Sequence, residues 1–376
     1  GATIIHPGYG FLSERPEFAE ACEKAGIAFA GPRAETMRAL GEKIAAKELA
    51  EKAKVPTLPW AKVKAGEDLA AAAARVGYPL LLKASAGGGG KGMRVVESAG
   101  ELDEAVASAQ REAQASFGDP TVFFEQYVRR ARHIEVQVLG DAHGNLVHLW
   151  ERDCSVQRRH QKVVEECPSP VMLEHPELRA KMGEAALKIA RAAGYANAGT
   201  MEFLVDRDRN FYFLEMNTRL QVEHPVTEAI TGLDLVQEQL RVASGADLPY
   251  TQEDITFSGH AIECRINAEN PTTFAPSPGR VDAVHFPGGL GVRVDSVGNL
   301  IGTTARPGAA RGRRPQGARG ERGPRSAGDV RGKRRRLKRP RSGRRGFRGP
   351  PQAPGAFGSL YRLTGALPTR YAGRRG

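Results

Sequence analysis

The segment from Met201 to Pro225 sets two strand-like runs around a short turn and fills them with acids where a sheet would ordinarily be apolar. Met201–Asp206 and Phe211–Met216 alternate in the manner of strands, and Arg207-Asp208-Arg209-Asn210 reads as the turn between them. A hairpin centred on that turn pairs positions whose numbers sum to about 417, because side chains repeat every second residue. Glu202 then faces Glu215 on one side of the sheet, with Asn217 one step further along that side. Two carboxylates so placed repel, and one pKa rises unless a cation lies between them. Hard oxygens presented this way suit Mg²⁺, which commonly shares its coordination with substrate phosphates. The alternative is an exposed hairpin face bearing two solvated acids. Arg219, Gln221 and Glu223 continue the alternation and favour a site.

A chain of 376 residues has room for two or three domains and a sizeable core. Its formal charge of +12 invites a nucleic-acid reading, but the charge is not spread evenly. Residues 297–376 hold 22 Lys+Arg against 2 Asp+Glu, a net of +20, which leaves residues 1–296 at −8. The body is mildly acidic, and the basicity belongs to the tail. Cys22, Cys154, Cys167 and Cys264 form no Cys-x-x-Cys pair and no zinc spacing, so they read as packing residues in a reducing, cytoplasmic setting. The sequence shows no run suited to a membrane span and no signal-peptide pattern, and its start without a Met suggests a piece of something longer.

Along the chain, 1–31 reads as strand, Gly-rich loop, helix and strand, an α/β remnant. A single helix is expected over Thr36–Ala53, and another over Asp68–Val76. A buried strand at Tyr78–Ala84 leads into a glycine run and a strand at Arg94–Glu97. Then come a helix at Leu102–Ala115, strands at Thr121–Tyr127, His133–Leu139 and Leu146–Glu151, a helix at Pro176–Ala193, the acidic hairpin and a helix at Asp234–Ala243. Strand-like Gly259–Asn267 and Arg280–Asp295 begin a further unit. Residues 297–376 are Arg, Gly, Pro and Ala with scarcely any periodicity, a composition that cannot bury a core.

Three further segments carry chemistry. Gly87-Gly88-Gly89-Gly90-Lys91-Gly92-Met93 formally satisfies G-x-G-x-x-G, but a strand follows it where a dinucleotide fingerprint needs a helix, and no Walker Ser or Thr is present. It reads as a hairpin whose bare N–H groups can close over phosphate oxygens beside Lys83, or as a floppy surface linker. Arg158-Arg159-His160-Gln161-Lys162 is either a solvated basic loop or an anion site. Arg265, on an apolar strand, is either an ion-pair partner of Glu263 or Glu269 or a donor aimed at a developing anion.

Taken together these segments resemble the biotin carboxylase component of biotin-dependent carboxylases, a member of the ATP-grasp superfamily. The resemblance rests on HPGYGFLSE at 6–14, KASAGGGGKGM at 83–93, RHIEVQVLGD at 132–141, ERDCSVQRRHQKVVEE at 151–166, FLEMNTRLQVEHPVTE at 213–228 and GHAIECRINAE at 259–269. It implies a mixed α+β and α/β chain: a partial Rossmann-like N-terminal domain over 1–37, an ATP-grasp domain over 38–247 with a lid at about 57–128 and the start of a C-terminal domain over 248–296. It also implies a reaction in which ATP, Mg²⁺ (or Mn²⁺) and bicarbonate form carboxyphosphate, and biotin on a separate carrier protein is carboxylated. Carried over by position, Lys43, Lys83, Glu125, His133 and His160 would bind the nucleotide, with Gly87, Gly88, Gly89, Gly90, Gly92 and Met93 as the lid loop. Glu202 and Glu215 would hold the metal, with Asn217 nearby. Lys162, Arg219, Gln221 and Val222 would hold bicarbonate, and Glu223 would be the general base. Arg265 would stabilise the biotin enolate, with Tyr9 near the biotin ring. A carrier protein, a carboxyltransferase and a homodimeric partner are implied as well, in the setting of an acyl-CoA carboxylase. Another bicarbonate-using ATP-grasp ligase of the carbamoyl-phosphate-synthetase kind, or an inactive fragment, is the rival reading.

The family normally opens with a strand and helix before its HPGYG loop, and it continues past Val294-Asp295 into a Tyr-rich segment. Neither is present here, so a truncated start and a frameshift near residue 297 are expected. A genuine basic tail binding RNA or acidic surfaces is the alternative; it lacks the repeated RGG or interleaved aromatics of such tails.

Overall fold

The computed structural model describes residues 1–63, 67–86, 93–277 and 285–296, together with the backbone of Leu360–Gly365. The chain opens with β1 (Ile4–Ile5), α1 (Pro16–Lys24), β2 (Ala28–Phe29) and α2 (Ala34–Gly41), β1 and β2 pairing in parallel. It continues through α3 (Lys43–Lys52), β3 (Trp60–Lys62), α4 (Leu69–Val76), β4 (Leu80–Ala84), β5 (Arg94–Val96), α5 (Leu102–Phe117) and β6 (Val122–Gln126). Next come β7 (Arg132–Gly140), β8 (Leu146–Arg158), β9 (Gln161–Cys167), α6 (Pro170–Glu174), α7 (Pro176–Ala192), β10 (Asn197–Val205) and β11 (Phe211–Asn217). The last described elements are α8 (His224–Thr231), α9 (Leu235–Ala243), β12 (Ala261–Asn267), β13 (Val292–Ser296) and β14 (Leu360–Gly365).

Two antiparallel sheets dominate. The smaller has the order β3-β6-β4-β5, and its apolar face packs on α4 and α5 through Leu80, Leu82, Val122 and Phe124 against Ala72, Ala73, Val106 and Ala109. Asp68 caps α4 by accepting from the N–H groups of Ala70 (2.9 Å) and Ala71 (3.3 Å), two of the donors that a helix start leaves unpaired. The larger sheet has the order β11-β10-β7-β8-β9-β12-β14-β13. On one face, Ile134, Val136, Val138, Met201 and Phe203 join Ala46 and Ala50 of α3 and Met182, Ala186 and Ile189 of α7 in the main core. Alternation sends Glu135, Gln137 and Glu202 to the opposite face, where all three are nonetheless buried.

Four expectations change. The helix expected over Thr36–Ala53 is two helices, because Glu42 is extended (φ −88°, ψ 124°) and turns its carboxylate to accept from Ser85 Oγ at 3.0 Å. β8 runs on through Arg152 to Arg158, so the basic cluster is the tip and return of the β8–β9 hairpin. The alternation expected through Glu223 stops at Asn217; Glu223 is the N-cap of α8, with Pro225 in its first turn, where proline's missing N–H costs nothing. Within the tail, Leu360–Gly365 is a strand lying between β12 and β13, where the sequence had offered scarcely any periodicity. Among the described residues no helix is long and apolar enough to cross a membrane. All four cysteines are free, Cys264 half-buried and the rest buried.

Candidate active site

The β10–β11 hairpin pairs Glu202 with Glu215, Met201 with Met216 and Thr200 with Asn217, the register expected from its turn. Beyond Glu202 the register slips: Phe203 pairs with Phe213, which leaves Leu214 as the extra residue of a β-bulge. Phe213 and Met216 therefore both reach the main core, although an odd spacing would put them on opposite faces of a regular strand.

Glu202 is the best-supplied acid of the hairpin. It accepts from Asn217 Nδ2 (2.7 Å), Lys162 Nζ (2.9 Å), Gln221 Nε2 (3.0 Å) and His133 Nε2 (3.0 Å). Burial opposes its charge, but Lys162 and His133 outweigh it and hold the carboxyl well below its usual range. His133 gains in return: burial disfavours its cation, yet Glu202 and Glu135 carry its pKa up to about 10.

Lys162 is the hub. Its ammonium bonds Glu135, Glu202 and Glu223, the last two at 2.9 Å. Against the cost of burial, these three acids raise its pKa well above the ordinary lysine value. Glu135 and Glu223 are likewise buried, and cations led by Lys162 bring each down to about 2. Beneath them Arg152, wholly buried, donates to Gln221 (2.7 Å), Gln137 (2.8 Å), Thr227 (3.1 Å), Thr200 (3.2 Å) and Glu135 (3.2 Å).

Arg265 closes one side. It pairs with Glu223 at 2.7 Å and with the buried Glu165 at 2.5 Å, while Glu269, offered as a partner from sequence, is gripped by Arg158 at 2.6 and 2.7 Å. Burial pushes Glu165 up to about 7 in spite of Arg265. Arg219 bonds Glu14 at 2.9 Å and Asn217 at 3.1 Å. Gln221 is buried between Arg152 and Glu202, and Val222 is half-buried beside it. Tyr9 is 45% exposed, its ring 6.4 Å from that of His224, the residue after Glu223.

A second node lies on the small sheet. Lys83 of β4 and Lys47 of α3 each take one oxygen of the buried Glu125 of β6. Lys43, one turn before Lys47, has its ammonium 3.9 Å from Glu215 and so stands between the two nodes. His160 is not drawn in; it is exposed at the β8–β9 tip in a left-handed conformation (φ 65°). Met93 is half-buried just before β5, and Gly87, Gly88, Gly89, Gly90 and Gly92 lie outside the described residues.

Sets of groups that can converge on a cation are His133–Glu135–Glu202 and Glu135–Cys154–Glu223. In both, the Lys162 ammonium already sits on the carboxylates, so the positive charge there is the protein's own. Glu202 and Glu215 with Asn217 form an all-oxygen set whose chemistry fits Mg²⁺, and Glu215 keeps a third of its side chain exposed. Sequence reading missed Glu135, Arg152, Glu165 and Lys47. The signal in the chain was a charge inside a strand or helix whose neighbours in sequence gave it no partner.

Sequence patterns of known families match in three blocks: biotin carboxylase, N-terminal domain, over residues 1–37; carbamoyl-phosphate synthase L chain, ATP binding domain, over 42–251; and biotin carboxylase C-terminal domain over 263–304. The chain is 57% identical over 299 residues to a pyruvate carboxylase subunit of Methanothermobacter thermautotrophicus, covering 79% of this chain and 60% of that one. It is 54% identical to the biotin carboxylase of Haemophilus influenzae, covering 79% and 66%. This chain thus spans between three fifths and two thirds of the length of these relatives. Among solved structures, the biotin carboxylase domain dimer of Hydrogenobacter thermophilus 2-oxoglutarate carboxylase, in complex with MgADP, ADP and bicarbonate, aligns with a TM-score of 0.77 at 49% identity, covering 80% of this chain and 67% of that one. The Campylobacter jejuni biotin carboxylase bound to an ATP analogue aligns with a TM-score of 0.76 at 48% identity, covering 81% and 68%. The chain belongs to the biotin carboxylase family, on an ATP-grasp fold.

Proposed function

We propose that this chain carries out the ATP- and bicarbonate-dependent carboxylation of biotin held on a carrier protein, the first half-reaction of an acyl-CoA carboxylase. The observation that carries this reading is the single connected network in which Lys162 joins Glu135, Glu202 and Glu223 and Arg265 joins Glu223 to Glu165. Such a network holds cations ready for two anionic substrates and keeps a carboxylate ionised between them.

In this reading Glu202 and Glu215, with Asn217, hold Mg²⁺, which supplies charge neutralisation for phosphoryl transfer. Lys43, Lys83, Glu125 and His133 line the nucleotide site. Lys162, Arg219, Gln221 and Val222 receive bicarbonate. Glu223 at about 2 is a weak base while Lys162 and Arg265 rest on it. An anion that draws those two cations away raises its basicity, so bicarbonate itself readies Glu223 to take its proton. Arg265 is then free to face the negative charge developing on the biotin ureido group, with Tyr9 at its edge. Residues 1–37, 38–247 and 248–296 are the corresponding domains, and a homodimer in the cytoplasm, working with a carboxyltransferase in fatty acid biosynthesis, is the setting this reading favours.

The test is fixation of labelled bicarbonate into free biotin by the purified chain, followed together with ADP release. ADP release that needs bicarbonate and rises with biotin supports the reading. Bicarbonate-dependent ADP release that ignores biotin favours a carbamoyl-phosphate-synthetase-like ligase instead.

A further inference from the structure

Helix α3 presents a polar stripe at Glu42/Lys43, Lys47 and Glu51, positions one turn apart on one face of the helix. Each turn of the stripe engages a different strand or strand end of the small sheet. Glu51 accepts from Trp60 Nε1 of β3 at 2.7 Å and from Thr57 Oγ1 at 3.0 Å. Lys47 takes an oxygen of Glu125 on β6. Glu42 accepts from Ser85 Oγ at 3.0 Å and the Lys43 N–H reaches the Ser85 carbonyl at 3.4 Å, just past the end of β4. The stripe follows the sheet order β3-β6-β4. Its other flank, Ala46 and Ala50, belongs to the main core, so α3 is where the two sheets are joined.

The middle contact differs from its neighbours. Lys47 and Glu125 are each 1% exposed at the side chain, and Lys83 only 6%. One buried carboxylate facing one lysine would make a neutral pair with no attraction left for an anion. Two lysines on it leave a net charge of +1 near the end of β4. Burial and the like charge of Lys83 lower the pKa of Lys47 against the pull of Glu125, as expected of two ammonium groups competing for one acid. An arriving polyanion relieves that competition.

We propose that Lys47 is a positioning residue of the nucleotide site: it occupies one oxygen of Glu125 so that Lys83, on the other, retains positive charge for a nucleoside polyphosphate. The proposal rests on the nucleotide-binding reading given above. The experiment is calorimetric titration of the full chain with MgADP, alongside thermal unfolding, for wild type, Lys47→Met and Lys47→Arg. With Lys47 gone, Glu125 neutralises Lys83, and affinity falls about tenfold, roughly 1.4 kcal/mol. Lys47→Arg keeps a cation on the same Glu125 oxygen and holds affinity within about threefold of wild type. A role confined to stability would lower the melting temperature and leave the affinity of the folded chain unchanged. Wild-type affinity in Lys47→Met, or a Lys47→Arg variant that binds no better than Lys47→Met, overturns the proposal. If Lys47→Met alone does not fold, Lys47→Arg decides: affinity within about threefold of wild type supports the proposal, and a tenfold loss sinks it. A wild-type chain that binds no MgADP sinks the nucleotide reading itself, an outcome distinct from all of these.

Discussion

In the small sheet, Leu80, Leu82, Val122 and Phe124 meet the alanine-rich packing face of two helices, and the acid Glu125 lies on the opposite face with its two lysines. On the polar face of the large sheet, a comparable depth of burial holds Glu135, Arg152, Glu165 and Glu202, with Glu223 of the α8 N-cap among them. The first is stabilised by removing apolar surface from water, a sum of nearly independent parts. The second is stabilised only as a whole, since each ion is tolerable because of the others. The apolar sheet can thus lose a methyl group locally, whereas the charged sheet can lose almost nothing without exposing a buried charge to an apolar surrounding.

The comparison is sharpest at Arg152. Arg152→Met leaves five buried acceptors short of a donor, Glu135 among them, and should cost about 3–5 kcal/mol in urea unfolding. A loss below about 1 kcal/mol would show that the network is a sum of independent pairs after all. Lys162→Met removes the shared counter-ion of three acids, and biotin-dependent ADP release should drop at least about 100-fold. In the apolar sheet, Leu82→Ala should cost about 2–4 kcal/mol. Hydrogen exchange should place that loss in β4, β6, α4 and α5, leaving β7 and β10 protected. Spread of the loss into the large sheet would break the contrast.

Acidity separates the sheets too. Glu135 and Glu223 sit at about 2 when folded against 4.5 unperturbed, so their contribution is present above about pH 4.5 and lost as pH falls toward 2. His133 runs the other way: at about 10 against 6.5, its contribution is complete below about pH 6.5 and lost as pH rises through 10. Melting temperature against pH should therefore show a plateau between about 4.5 and 6.5, with exchange protection in the large sheet fading on both flanks. The smallest effect belongs to the small sheet's helix cap: Asp68→Ala should cost about 1 kcal/mol.

What could be read in the sequence follows the same division. The register of Glu202 with Glu215 was legible because period-two alternation and a polar turn are local signals. Arg152 was not: in Trp150-Glu151-Arg152-Asp153 a run of charges reads by default as the end of a strand, and its partners Gln221 and Thr227 lie some seventy residues away. Lys47 was hidden for the same reason on a helix, and Glu42 concealed the break between α2 and α3 because glutamate has good helix propensity. Glu223 was found by its place in an alternating run, yet the run ends before it, and Pro225 was the neglected sign of a helix start.

The bulge at Leu214 is a change of phase in β11. Upstream of it, odd-numbered Phe211 and Phe213 turn to the main core; downstream, even-numbered Met216 does, which frees Glu215 and Asn217 for the other face. Pairing Leu214 itself with Glu202 would remove the bulge and exchange those roles, turning Glu215 and Asn217 into the apolar interior and Met216 out of it, whereas deleting Leu214 would leave all three on the faces they now occupy. The extra residue lets one strand give its odd positions to the core at one end and to the polar face at the other, a change of side that regular pairing of the same residues would not allow.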